Sequence, residues 1–371
     1  MENISNQQPI KKARSSNFDL LKIIAFIFVI VLHVNNSSMG RAFAYAEAGS
    51  STWIMLSVLE SAAIIAVPLF VLITGFFSVN NKSFTLKKVV GLYIMQFSYK
   101  IIAYLLYIWI NNYSFNVESF FSNLVPNNYY VNLYAALMLF SPLLNKLFKF
   151  NKKQVTWFLI VASIMFFLVP TIMDIVNALT NNKFPGVSYI SNGGSLSGYT
   201  IVAFVMFYWL GAYIRTYNIT IRKLITGPAW VVLTGLMVLV SMKTMAVWHY
   251  DDLLVVASAL AFFLLFKEIK LREIKVIGYV AKCSLGVFVL HTTALFIHTF
   301  NGLFHIGDMV QQGPGQAVLV VLEVVFATAG VCIVADILLR LAVYPIRKWL
   351  YGTKVMNYPI FTFDKPEKTE E

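Results

Sequence analysis

Ten apolar stretches, each close to the length a helix needs to cross a bilayer, constrain this chain more than any other feature. A crossing helix takes about 20 mostly apolar residues to span a hydrocarbon core of roughly 30 Å. The stretches lie at 18–37, 52–77, 88–110, 129–148, 154–174, 199–215, 227–247, 252–267, 276–299 and 316–346, with those at 199–215 and 252–267 the shortest. Only 12% of the 371 residues are charged and 58% are hydrophobic, against about 25% charged in a soluble domain. No soluble interior hides that much apolar surface, so a cytosolic enzyme, a small disulfide scaffold and a disordered chain are all excluded. The expected fold class is all-α: a polytopic integral membrane helical bundle of about ten transmembrane helices.

Charge placement gives a direction. The formal net charge is +12, but Lys and Arg fall in short clusters between apolar runs, which is the pattern of membrane topology rather than of a nucleic-acid stripe. Of the 29 basic residues, 23 map to one side of a ten-span layout and three (Arg41, Lys183, Lys243) to the other, while Lys22, Lys100 and Lys282 lie in or at the ends of spans. That bias predicts both termini in the cytoplasm. The first apolar run carries Asp19 and Lys22 and has no small-x-small cleavage site, so it reads as a retained span. The expected organisation is a cytoplasmic segment 1–17, a membrane domain 18–349 and a cytoplasmic, partly disordered tail 350–371. Cys283 and Cys332 sit in apolar segments without metal-ligand spacing and read as small core hydrophobes.

Ionisable groups inside spans are costly, about 2.5–3.5 kcal/mol each at mid-membrane on insertion scales, so each asks for a reason. Asp19 and Lys22 are three apart and therefore neighbours on one helix face. Lys22 and His33 are eleven apart, which returns the helix to within about 20° of the same direction and separates the two by roughly 16 Å along its axis. His33 and His291 reach similar depths from the inner surface, and Glu60 and Glu323 enter the same outer half from the other side. An imidazole near a carboxylate is what abstraction of a hydroxyl proton requires, the partner fixing the ring's tautomer and stabilising the imidazolium. His33, Glu60 and His291 are therefore the candidate catalytic set. Asp336 and Arg340, four apart, read as a structural pair. Lys100 meets either an anionic ligand, Glu118 or a carbonyl.

These residues and their surroundings resemble the acyltransferase-3 family of integral membrane acyltransferases. The first span, with Asp19, Lys22, Ala25, Val29 and His33, is similar to the family's opening of an Asp, a basic residue and an apolar helix ending in His. The likeness continues in order through VPLFVLITGFF (67–77), YYVNLYAALMLFSPLLN (129–145), GYTIVAFVMFYWLGAYIRTY (198–217) and IGYVAKCSLGVFVLH (277–291). The segment 198–217 is similar to that of bacterial members associated with surface polysaccharides.

The resemblance implies transfer of an acyl group, commonly acetyl, from cytoplasmic acyl-CoA (acetyl-CoA as the expected donor, with no metal). The implied acceptor is a hydroxyl or amine of a cell-surface or lipid-linked glycan at the plasma membrane. It makes His33 the lead catalytic residue and Lys22 the basic residue that acts with it, with His291, Glu60 or Glu323 orienting His33 or the sugar. Asp19, Lys22, Lys87 and Lys88 are the expected rim for the CoA phosphates. Two departures from the family pattern stand out. Its basic residue is usually Arg, where this chain has Lys22, and the paired arginines at the start of the third span are replaced by Lys87 and Lys88 as the nearest cations. A sugar exporter or proton-coupled carrier is the competing reading. Against it stand the lack of repeat symmetry between halves and the scarcity of broken spans, Pro68 being the clearest interior break.

Overall fold

The computed structural model describes residues 16–36, 39–81, 83–125, 128–181, 183 and 197–362. The first fifteen residues with Lys11, Lys12 and Arg14, the middle of the connection 175–198, and the charged tail from Asp364 lie outside the described residues.

The chain is a bundle of helices in which every one of the ten apolar stretches is helical. The first is α1 (Ser16–Asn36). The second is α2 (Ser51–Ala63) followed by α3 (Ala66–Ser78). The two are separated at Ile64 and Ile65, where Pro68 has no N–H to give the Ile64 carbonyl and its ring crowds that turn. The third is α4 (Leu86–Ile110), and a surface helix α5 (Val117–Leu124) follows it. Next come α6 (Tyr129–Leu144) and the pair α7 (Lys152–Ser163) and α8 (Val169–Leu179), joined through a π-helical turn at Ile164–Leu168. Then follow α9 (Ile201–Thr216), α10 (Lys223–Ser241) and α11 (Leu253–Glu268). The ninth stretch holds α12 (Lys275–Lys282) and α13 (Ser284–Leu290). After the short α14 (Ile306–Gln311) comes α15 (Pro314–Tyr351), 38 residues long, and then α16 (Lys354–Asn357).

Eight of these helices or helix runs are long and apolar enough to cross a membrane. Among the described residues the bent pair 275–290 and 295–304, taken as one span, is a ninth, and α9 is an apolar helix of 16 residues, shorter than the others. The chain is a multi-pass membrane protein. One feature departs from the all-α expectation: β1 (Ser83–Thr85) and β2 (Pro359–Thr362) form a small antiparallel ribbon that ties the C-terminal stretch to the start of α4.

Helix starts carry side-chain caps where the sequence offers Asn, Asp or Thr. Asn128 accepts from the Val131 N–H, Asn151 from Gln154, Thr200 from Ala203 and Asp252 from Leu254, each satisfying an amide that the helix itself leaves without an acceptor. The closest helix pair is α3 and α9. A Cβ on Gly75 would meet the Tyr208 carbonyl oxygen, and one on Gly211 the Leu72 carbonyl oxygen. Two glycines facing opposite ways let the backbones touch, the packing that membrane helices use in place of a hydrophobic driving force.

α1 occupies the middle of the bundle, packed against α2, α3, α11, α12, α13 and α15, so Leu21, Ala25, Ile30 and Val34 are fully buried. Its first turn is pinned by two bonds to distant chain. Asn17 Nδ2 donates to the Phe266 carbonyl at 2.8 Å, and Ser16 Oγ accepts from the Ile274 N–H at 2.8 Å. Phe18 packs against Phe76, Phe77 and Phe263 just above. The helix that carries His33 is thus held at its base and surrounded along its length.

Candidate active site

The ninth stretch was expected as one continuous helix over 276–299. It turns instead by 86° between Leu290 and Leu295, without a proline. Thr292 Oγ1 donates to the Val289 carbonyl at 3.1 Å and Thr293 Oγ1 to the Leu290 carbonyl at 2.7 Å, a local alternative to the helical ladder. The turn leaves His291 at the C-terminal end of α13, aimed across at α1.

There His291 Nε2 lies 3.0 Å from His33 Nδ1, and His291 Nδ1 lies 2.7 Å from the carbonyl of Val287. A carbonyl only accepts, so His291 carries its proton on Nδ1. In the neutral ring its Nε2 is then an acceptor, and His33 must donate from Nδ1. The proton pattern that follows puts the basic lone pair of His33 on Nε2. His291 is almost wholly buried at 1% exposure, whereas His33 is partly open and lines a cavity of about 440 Å³. The remaining wall of that cavity includes Asn128, Tyr129, Tyr130, Tyr199 and Tyr250, together with Lys100. Lys100 Nζ donates to the Val125 carbonyl at 3.4 Å, which is the carbonyl alternative among its expected partners.

Glu60 is buried at 3% exposure, but its carboxylate is turned to the end of α1. Oε2 accepts from Asn35 Nδ2 at 3.0 Å and Oε1 accepts from Asn36 Nδ2. It therefore clamps the two residues that close the His33 helix and makes no hydrogen bond to His33. Glu323, the other carboxylate expected at this depth, points out of the bundle and is exposed. Helical depth was readable for both, but rotation about the axis was not.

At the other end of α1, Lys22 Nζ and Asp19 Oδ1 form the expected ion pair at 3.7 Å. Lys22 lines a second cavity of about 180 Å³ with Thr74, Tyr134, Lys282 and Ser284. Asp19 lines a third, of about 210 Å³, with Glu273, Lys275 and again Lys282. Lys87 and Lys88 are not in either. Lys87 Nζ stands 4.9 Å from the centre of the Tyr351 ring, and Lys88 is exposed on α4. Lys282 lines both of these cavities, beside Lys22 in one and Asp19 in the other. Tyr130 and Phe288 line both the His33 cavity and the Lys22 cavity, and Lys282 lines both the Lys22 cavity and the Asp19 cavity, so the three spaces neighbour one another in series.

The Asp336–Arg340 pair is structural as expected. Arg340 Nε donates to Asp336 Oδ2 at 2.6 Å, and the same carboxylate accepts from Tyr99 on α4 at 2.8 Å. Arg340 also donates to the Lys282 carbonyl at 2.7 Å, fixing the end of α12. Among the described residues, no group of three or more His, Cys, Asp or Glu side chains is placed to hold a metal ion.

A family described as an acyltransferase domain matches residues 15–340, which takes in both histidines, both ends of the cavity series and nearly all of the helical bundle. No curated protein matches the chain. No solved structure matches it either.

Proposed function

The chain belongs to the acyltransferase-3 family of membrane acyltransferases, and from that premise we propose that it moves an acyl group, acetyl in the first instance, from cytoplasmic acyl-CoA to a hydroxyl of a cell-surface or lipid-linked glycan. The observation that carries this reading is the series of cavities running from the cations at the start of α1 to the basic nitrogen of His33. We place both termini in the cytoplasm from the distribution of Lys and Arg, and the chain in the plasma membrane from the proposed cell-surface acceptor.

Lys22 and Lys282 receive the CoA phosphates at the basic end, as point charges rather than as the bidentate fork an arginine would offer. The acceptor enters the cavity beside His33, where Tyr129, Tyr199 and Tyr250 offer apolar faces with polar edges and Asn128 offers an amide. His33 Nε2 takes the hydroxyl proton as the oxygen attacks the thioester carbonyl. The resulting imidazolium keeps its Nδ1–H on His291, whose own Nδ1 stays bonded to the Val287 carbonyl. When the carbon–sulfur bond breaks, the proton on Nε2 passes to the leaving thiolate, and His33 returns to its starting form.

The test is transfer of label from radiolabelled acetyl-CoA to envelope glycan in membranes carrying the intact chain or His33→Ala. Label that depends on His33 is the expected result. Equal labelling by the two removes His33 as the base, and an unlabelled glycan with every acyl-CoA tried removes the reaction itself.

A further inference from the structure

The junction between the Lys22 cavity and the His33 cavity is made of two aromatic rings. Tyr130 on α6 and Phe288 on α13 meet there with ring centroids 4.4 Å apart and planes at 47°. Both are nearly buried, at 6% and 7% exposure, yet each contributes to the wall of both cavities. Tyr130 is backed by Tyr134, stacked on it at 5.6 Å with planes 10° apart, and Tyr134 is held by a hydroxyl–hydroxyl bond to Thr74 of 3.1 Å. Phe204 and Phe70 pack on its other sides. Phe288 presents its edge to His291 at 5.8 Å. One side of the junction is therefore braced by a row of packed rings, while the other is tied to the histidine that orients the base.

We propose that Tyr130 and Phe288 form a neck that selects the acyl group by its cross-section. This rests on the proposed function, in which the acyl end of the donor leads from the Lys22 cavity towards His33. Whatever makes that passage has to separate two rings that stand in contact. A straight two- or three-carbon acyl group asks for a small displacement. A branched or aromatic acyl group asks for one that Phe204 resists behind Tyr130, since that ring is 2% exposed and lines neither cavity, and a close-packed interior gives way little. Length alone is not the criterion, since the His33 cavity beyond the neck is more than twice the volume of the one before it.

The experiment compares kcat/KM for acetyl-, isobutyryl- and benzoyl-CoA in the intact chain and in Phe288→Ala, Phe288→Leu and Tyr130→Phe. The expected result is a rise of at least about tenfold in the isobutyryl-to-acetyl and benzoyl-to-acetyl ratios for Phe288→Ala. Phe288→Leu should give a smaller rise, and Tyr130→Phe, which keeps the ring, no change. A ratio that stays constant in a Phe288 variant still active on acetyl-CoA overturns the neck.

A readout independent of transfer uses Thr292→Cys, which places a thiol in the wall of the His33 cavity. In inside-out vesicles, a slim methanethiosulfonate and a bulky aromatic one are offered from the side on which Lys22 opens. The added Phe288→Ala change should speed modification by the bulky reagent relative to the slim one. Equal relative rates with and without Phe288 overturn the proposal, even where no acyl-CoA serves as donor. Absence of transfer from every acyl-CoA, with the relative labelling rates responding to Phe288, instead rejects the proposed reaction and leaves the neck standing.

Discussion

His33 on the central helix and His291 at the end of a broken one are joined nitrogen to nitrogen at 3.0 Å, and the Val287 carbonyl decides which of the four ring nitrogens is basic. In the proposed reaction His291 would do the orienting that a carboxylate does in other hydroxyl-activating sites. A neutral partner holds the ring without placing a fixed negative charge inside the bundle, where an unpaired one is expensive.

His291 should accordingly behave as a positioning residue. Replacing it with Ala should lower kcat by at least about 10²-fold while KM for either substrate changes little. His291→Gln, whose amide oxygen can still accept from His33 Nδ1–H, should recover part of that loss. If Gln and Ala variants are equally impaired, His291 does not act through the His33 proton.

Glu60 should report on structure before chemistry. With both oxygens engaged by Asn35 and Asn36, Glu60→Ala leaves the buried Asn35 amide only its longer bond to the Leu56 carbonyl at 3.4 Å, a loss of about 1 kcal/mol, while the exposed Asn36 turns to water. The expected sign is a lowered unfolding midpoint in detergent, with Glu60→Gln intermediate. A Glu60→Gln protein of unchanged midpoint that is as inactive as His33→Ala would show that the carboxylate takes part in the reaction.

The cation assignment separates two pairs of lysines. Lys22→Ala and Lys282→Ala should each raise KM for acyl-CoA by roughly tenfold, about 1.4 kcal/mol, and the difference should shrink as salt is added. Lys87→Ala and Lys88→Ala should leave KM close to its starting value, since neither lines the cavities near Lys22. The reverse pattern places the donor on the face of α4.

Asp336 should be a stability residue remote from turnover. It is fully buried and accepts from both Tyr99 and Arg340. Removing one member of such a buried charge pair typically costs about 3–5 kcal/mol. Asp336→Ala should therefore fall sharply in folded yield and thermal midpoint, and whatever protein survives should keep its KM for acyl-CoA. A stable Asp336→Ala protein contradicts the role as a tie between α4, α12 and α15.

Membrane residence, helical class and the presence of a histidine within the first span were all legible in the sequence. Each rests on a property of one segment: apolar length, or a titratable group that hydrocarbon penalises. The equal depth of His33 and His291 was legible too, because helix rise is fixed. Which way a side chain faces was not. Glu60 and Glu323 enter the same half of the bilayer, yet one is clamped by Asn35 and Asn36 and the other looks out of the bundle. The bend at 290–295 was not legible either, since no proline announces it. The Tyr130–Phe288 junction joins positions 158 residues apart in the chain, so no local pattern could place them together.

By itself, then, the sequence determined that this chain crosses a membrane repeatedly and carries a histidine there, since the cost of moving residues out of water is a property of each segment. The tertiary structure decided which groups that histidine meets, because rotation about a helix axis and the breaking of a helix are settled only by the neighbours packed against it.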